Sequence, residues 1–218
     1  APACFHIYSM KTLHVLIDAG HGGIVNGNYV TAGKRSPKWT DLPQLFEGVQ
    51  NREIAALLKS KLTAANIRFT DVVDSQNDIS LKARVAKANS IYTKDKSAIY
   101  ISIHADAAGN GNEDYPATGI SVFTSPGQTK SDILAQEVFK SLDAKLSNST
   151  KKRTDSTDGD SDKEAHFYVL TATTCPSVLC ELGFMTNRKE CELMQTAKWK
   201  EDCAQAIFEG ILNYSNKI

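Results

Sequence analysis

Three short apolar runs, residues 13–17 (LHVLI), 97–103 (SAIYISI) and 177–181 (SVLCE), are separated by long segments with helical spacing of their apolar residues. Strands that alternate with helices argue for an α/β three-layer sandwich, a mostly parallel twisted β-sheet with helices on both faces. An antiparallel edge strand is expected near residues 119–124. In such sheets ligands gather outside the carboxyl ends of the strands. Each run leads into a chemically capable side chain there: His21 in a Gly-His-Gly-Gly turn, His104 at a strand end, and Glu181 at another.

The segments between the runs fill in the layers. From Glu47, the spacing of Ile54, Leu57, Leu58 and Leu62 predicts an amphipathic helix with the glutamate in its first turn. A weak strand is expected at 67–73. A second helix is expected over 80–90, with Leu81, Val85 and Ala88 on one face, and a third over 130–146, with Ile133, Leu134, Val138, Phe139 and Leu142 inward. Residues 197–214 close the chain as a helix that buries Trp199, Cys203, Ile207, Phe208 and Ile211. Residues 22–46 read as one long loop, and loops of that length usually serve function. Residues 147–164 read as a solvated polar loop.

Two imidazoles and one carboxylate form a common hydrolytic zinc shell, since neutral nitrogens and one anion bind the ion and leave positions open. His21, His104 and Glu47 can supply that set. Glu181, behind the apolar SVLC, is the candidate proton carrier, because an unpaired buried carboxylate is costly. Taken singly, each has a plainer reading. A strand-end histidine is more often a hydrogen-bonded structural residue, and an acid at a helix start is often a surface group favoured by the helix dipole.

Composition narrows the classes. The chain of 218 residues, 41% hydrophobic, suits one domain with one core, and 25 basic residues cancel 25 acidic ones, so no global field draws it to nucleic acid. Five cysteines make an odd count without a C-x-x-C pair. Buried, idle thiols are expected, the other reading being one bridge through Cys191 or Cys203. No apolar run reaches the roughly 18 residues of a transmembrane helix, and no signal peptide is evident, so the chain is expected to be soluble. Residues 1–9 differ in character from the rest of the chain and read as an appended leader, with Met10 the natural start and 10–218 a single catalytic domain.

The segments VLIDAGHGG (15–23), FEGVQNREIA (46–55), ISLKARVAKAN (79–89), IYISIHADA (99–107) and PSVLCELGFMTN (176–187) resemble the zinc-dependent N-acetylmuramoyl-L-alanine amidases of the amidase 3 family. The resemblance runs in the family's order from residue 13 across almost the whole chain. It implies that His21, Glu47 and His104 hold one Zn²⁺ and that Glu181 is the catalytic acid/base. The implied reaction cleaves the amide between the lactyl group of N-acetylmuramic acid and the L-alanine of the stem peptide. In the expected course Glu181 takes a proton from the attacking water and returns it to the departing alanine nitrogen. The implied substrate is peptidoglycan or a muropeptide, met at the cell wall by a periplasmic, secreted or phage-lysin-like enzyme, with a monomer favoured. Two alternatives stand beside this: a zinc amide hydrolase acting on another acyl group, and a wall-binding module that has lost catalysis.

Several features fall outside the resemblance. The insertion between His21 and Glu47, with Arg35, Trp39 and Pro43, matches no motif and leaves its part in substrate choice open. Asp106 stands where the family often has asparagine and is read as a polar, solvent-facing residue rather than a ligand. Asp158, Asp160 and Asp162 mimic an EF-hand start, but Lys163 and Val169 occupy the positions that need glycine and glutamate, so calcium there is set aside. The Gly20–Gly23 turn lacks a P-loop's lysine and a dinucleotide fingerprint's spacing. His166 is read as structural or solvent-facing, and His14 and His6 are not put forward.

Overall fold

A computed structural model describes residues 13–157 and 159–218. The proposed leader 1–9, with Cys4 and His6, lies outside the described residues, as do Met10 and Asp158. Among the described residues a central sheet of six strands runs in the order β4 (Arg68–Asp71), β1 (His14–Ala19), β5 (Ala98–Asp106), β8 (Ser177–Phe184), β6 (Ile120–Thr124) and β7 (Lys163–Glu164). The first four are mutually parallel, β6 is antiparallel to β8, and β7 is parallel to β6.

Alternation along the strands divides the core in two. Val15, Ile17, Ile99, Ile101, Ile103, Val178 and Cys180 face one way, into a layer built by α1 (Glu47–Ala64), α3 (Ser131–Leu146) and α6 (Ala197–Ser215). Helix α6 packs against both of the others. Leu16, Tyr100 and Leu179 face the opposite layer, formed by α2 (Leu81–Lys94) and the short α4 (Tyr168–Thr171). The residues of β1 are all buried because both faces are covered. Leu58 and Ile101 have no exposed surface, and each such side chain contributes about 1.5–3 kcal/mol relative to exposure. The helix starts are fixed locally: Ser80, Asn187 and Thr196 accept from Ala83, Glu190 and Trp199 backbone N–H groups, capping α2, α5 (Arg188–Met194) and α6.

The architecture agrees with the sequence-based expectation, with local differences. The antiparallel strand at 120–124 is not the edge, since β7 forms beyond it from the segment expected to be a solvated loop. Residues 22–46 hold a small hairpin, β2 (Ile24–Val25) and β3 (Asn28–Tyr29), and α4 and α5 are too short to give a periodic signal. Leu81 and Ile133, expected inward, are 53% and 43% exposed. On α2 the inward face is instead Arg84, Val85 and Ala88. Cys175, Cys180, Cys191 and Cys203 are free and buried, as idle thiols would be.

Candidate metal centre

The backbone brings three donors to the carboxyl rim of β1 and β5. His21 lies two residues beyond β1, at a φ of +63°, a left-handed conformation that non-glycine residues seldom adopt. Its neighbour Gly20 is needed for packing: a Cβ there would meet the His104 ring at 2.3 Å. His104 sits near the end of β5, where a register irregularity between residues 104 and 106 interrupts pairing with β8. Glu47 opens α1 and is 1% exposed, so it is no surface acid.

Glu47 Oε1 is the meeting point. It lies 3.2 Å from His21 Nε2 and 3.1 Å from His104 Nδ1, and accepts from the Ala105 backbone N–H at 3.2 Å. The two imidazoles stand edge to face, 5.0 Å between centroids. Ligand atoms of His21, Glu47 and His104 lie within 4.8 Å of one another, the one group among the described residues with the spacing to hold a metal ion. Glu47 Oε2 is buried without a hydrogen-bond partner. A buried carboxylate oxygen without a donor, beside two imidazole nitrogens, is a set that a divalent cation fits.

Electrostatics separates the two glutamates. Burial alone would raise the Glu47 carboxyl, but hydrogen bonds from His104 and His21 outweigh it and hold the group well below the usual carboxylate range. Burial pulls the His104 ring down, and the hydrogen bond and charge of Glu47 reverse this into a net upward shift. Glu181 is paired in register with His104 on the adjacent strand and lines the same cleft. Burial pushes its carboxyl up to about 8 despite the opposing charge of His104, and its Oε2 has no hydrogen-bond partner. The cleft, of about 650 Å³, is also walled by Lys34, Arg35, Asp106 and Phe167.

A polar scaffold that the sequence reading did not single out fixes the turn bearing His21. The His21 carbonyl accepts from Arg52 Nη1 at 2.9 Å and from Arg84 Nη2 at 3.3 Å, and the Gly20 carbonyl accepts from Asn51 Nδ2 at 3.2 Å. Arg84 is ion-paired with the fully buried Asp18, which also accepts from Tyr100 and Ser102 hydroxyls at 2.7 Å. Burial raises the Asp18 carboxyl, yet Arg84, His104 and the Tyr100 and Ser102 hydroxyls together outweigh it and the net shift is downward. Only the position of Arg84 carried a signal in the sequence, since it lies four residues before Ala88 on the inward side of α2; its pairing with Asp18 did not.

The other candidates fall elsewhere. Asp106 accepts from Arg153 Nη1 at 3.1 Å and stands outside the three-residue group, as expected, but is half-buried rather than solvent-facing. His166 is exposed, and His14 is buried between Asp95 and Thr70.

The family described as N-acetylmuramoyl-L-alanine amidase matches residues 15–213. The chain belongs to that amidase family. Among curated relatives, the N-acetylmuramoyl-L-alanine amidase LytC of Bacillus subtilis is 31% identical, with 92% of this chain and 35% of the relative covered. The endolysin of Bacillus phage SPP1 is 28% identical, with 93% and 66% covered. The chain thus spans about a third of the first curated relatives it matches, 35% of each. An N-acetylmuramoyl-L-alanine amidase structure from Clostridium difficile 630 superposes with a TM-score of 0.75 at 28% identity, over 94% of this chain and 97% of that one. The mixed, mostly parallel sheet with helices on both sides is therefore the amidase fold. No helix among the described residues is long and apolar enough to cross a membrane.

Proposed function

We propose that this amidase domain hydrolyses peptidoglycan at the amide between the lactyl group of N-acetylmuramic acid and L-alanine, using one zinc ion held by His21, Glu47 and His104. The observation that carries the reading is the gathering of three donors around Glu47 Oε1, with a second, differently held carboxylate on the neighbouring strand. Such an ion, when bound, supplies Lewis acidity and brings the pKa of a coordinated water from 15.7 to roughly 7.

Within this reading the chain's own residues divide the work. His21 and His104 would present neutral nitrogens, and Glu47 a carboxylate, to the ion. Glu181 carries the proton: it accepts one as water attacks the scissile carbonyl and delivers it to the alanine nitrogen as the amide breaks. A carboxyl with a pKa lifted toward neutrality is suited to both transfers. Asn51, Arg52 and Arg84 hold the His21 turn. Glu47, His104 and Glu181 line one cleft with His21 beside them, which argues against a module without catalysis, and the family's substrate supports action at the cell wall.

Purified sacculi incubated with zinc-loaded and with chelated protein test the proposal. Mass analysis of released fragments should reveal stem peptides with new L-alanine amino termini and no new reducing sugar ends, only in the loaded sample. New reducing ends, or turnover of amides on another acyl group alone, would overturn the assigned bond.

A further inference from the structure

The segment between His21 and Glu47 presents two cations to the cleft. The backbone there is tightly fixed: the Lys34 carbonyl accepts from the Glu47 backbone N–H at 2.9 Å, and Arg35 bridges to Phe46 in antiparallel register. The following pair, Ser36 and Leu45, is joined by backbone and side-chain bonds of 2.8 and 3.0 Å. Lys34 adopts a φ of +43° just after Gly33 at +66°, so the turn is set by its pairing with the start of α1 rather than by residue preference. The side chain of Lys34 is thereby attached one hydrogen bond away from a proposed metal ligand.

Arg35 is held as firmly. Its guanidinium carbon lies 5.3 Å from the centroids of both Tyr29 and Phe46, a cation–π contact with two rings. Its Nε donates to the Gly33 carbonyl at 3.0 Å. Neither Lys34 nor Arg35 forms an ion pair among the described residues, whereas Asp106 in the same cleft already has Arg153. Lys34 feels the charge of Glu181 across the cleft without a direct ion pair, and Arg35 has no carboxylate partner, so beside a centre that would receive a divalent ion both keep donors for an incoming anion. The remaining guanidinium and ammonium donors match a carboxylate.

We infer that Lys34 and Arg35 form a carboxylate-binding subsite that recognises an acidic group on the peptide side of the scissile amide. The inference rests on the amidase reading and names what part of the stem peptide this cleft selects. An extended residue covers about 3.5 Å, so a carboxylate on the second residue of the stem lies close to the bond being cut, within reach of a long side chain from the cleft wall. The subsite acts on substrate binding, and its signature therefore belongs in KM rather than kcat.

The test uses a muramoyl dipeptide whose second residue carries a free α-carboxylate and its uncharged α-carboxamide counterpart. The zinc-loaded protein should favour the carboxylate form by on the order of 10-fold in kcat/KM, the scale of one exposed charge-assisted hydrogen bond. Lys34→Met and Arg35→Met should each shrink that ratio through KM. Lys38→Met, on an exposed side chain of the same segment, should keep it. Because Arg35 also supports the loop, Lys34→Met is the decisive variant. A wild-type ratio near one, or a ratio unchanged in Lys34→Met, overturns the subsite. If neither compound is hydrolysed, the amidase reading fails by itself. Calorimetric binding of the same two compounds then decides the subsite: a carboxylate preference that Lys34→Met removes supports it, and equal binding overturns it.

Discussion

The β1–α1–β5 side of the molecule and the β8–β6–β7 side both bury carboxyl groups, and they treat them differently. On the first, Glu47 and Asp18 face imidazoles, a guanidinium and hydroxyls, and both are shifted downward although burial works against ionisation. On the second, Glu181 and Asp162 each keep an oxygen without a hydrogen-bond partner, and burial lifts them to about 8 and about 7. Burial is the first cause in all four, so partners decide the sign. Where two carboxyls in one cleft are pushed apart in this way, one is fitted to stay charged and the other to exchange a proton. That division is what the proposed mechanism uses.

The strongest way to break the comparison is to empty the charged side. Chelation should abolish turnover, and added Zn²⁺ should restore it; activity that persists after metal analysis shows none bound would remove His21, Glu47 and His104 from the proposed role. Next in size, Glu181→Ala should reduce kcat by roughly 10² to 10⁴ while zinc content is unchanged. A variant that lost its zinc would mean that Glu181 belongs to the ligand set instead.

How visible this division was in the sequence depends on what each feature needs. His104 and Glu181 were legible because apolar β-branched runs lead into them, although β5 runs on to Asp106 and β8 to Phe184 rather than ending there, and Glu47 because a helical period begins there. Parallel topology then brought these residues to one rim without knowledge of contacts. Burial of Glu47 was not legible, since an acid in a first helical turn serves equally well at a surface. Nor was the Asp18–Arg84 pair, which joins residues 66 apart in sequence and depends on tertiary packing. Leu81 and Ile133 misled for a related reason: apolar spacing names a stripe, and only packing decides which margin of the stripe faces out.

A smaller effect sharpens the supporting layer. Arg84→Met leaves the Asp18 charge buried without its guanidinium and should cost about 3–5 kcal/mol in urea unfolding. It should also weaken zinc binding by roughly 10- to 100-fold, since the His21 carbonyl loses one of its anchors. Unaltered zinc affinity in a folded variant would assign the pair to stability alone.

The last effect concerns pH and stability rather than turnover. The folded pKa of Glu181, about 8, exceeds its ordinary value of 4.5, so the unfolded chain releases this proton first. The contribution to stability is then complete below about pH 4.5 and is lost as pH rises through about 8. In metal-free protein, Glu181→Gln should flatten the fall in unfolding free energy between pH 5 and pH 8.5. Parallel curves for variant and wild type would contradict the raised value.

The central claim is met most directly by anomalous diffraction at the zinc edge from crystals of the zinc-loaded protein. The account predicts one peak bonded to His21, Glu47 and His104, with the Glu181 carboxyl facing it and not bonded to it. A peak elsewhere, or coordination through Glu181 in place of Glu47, would contradict the account.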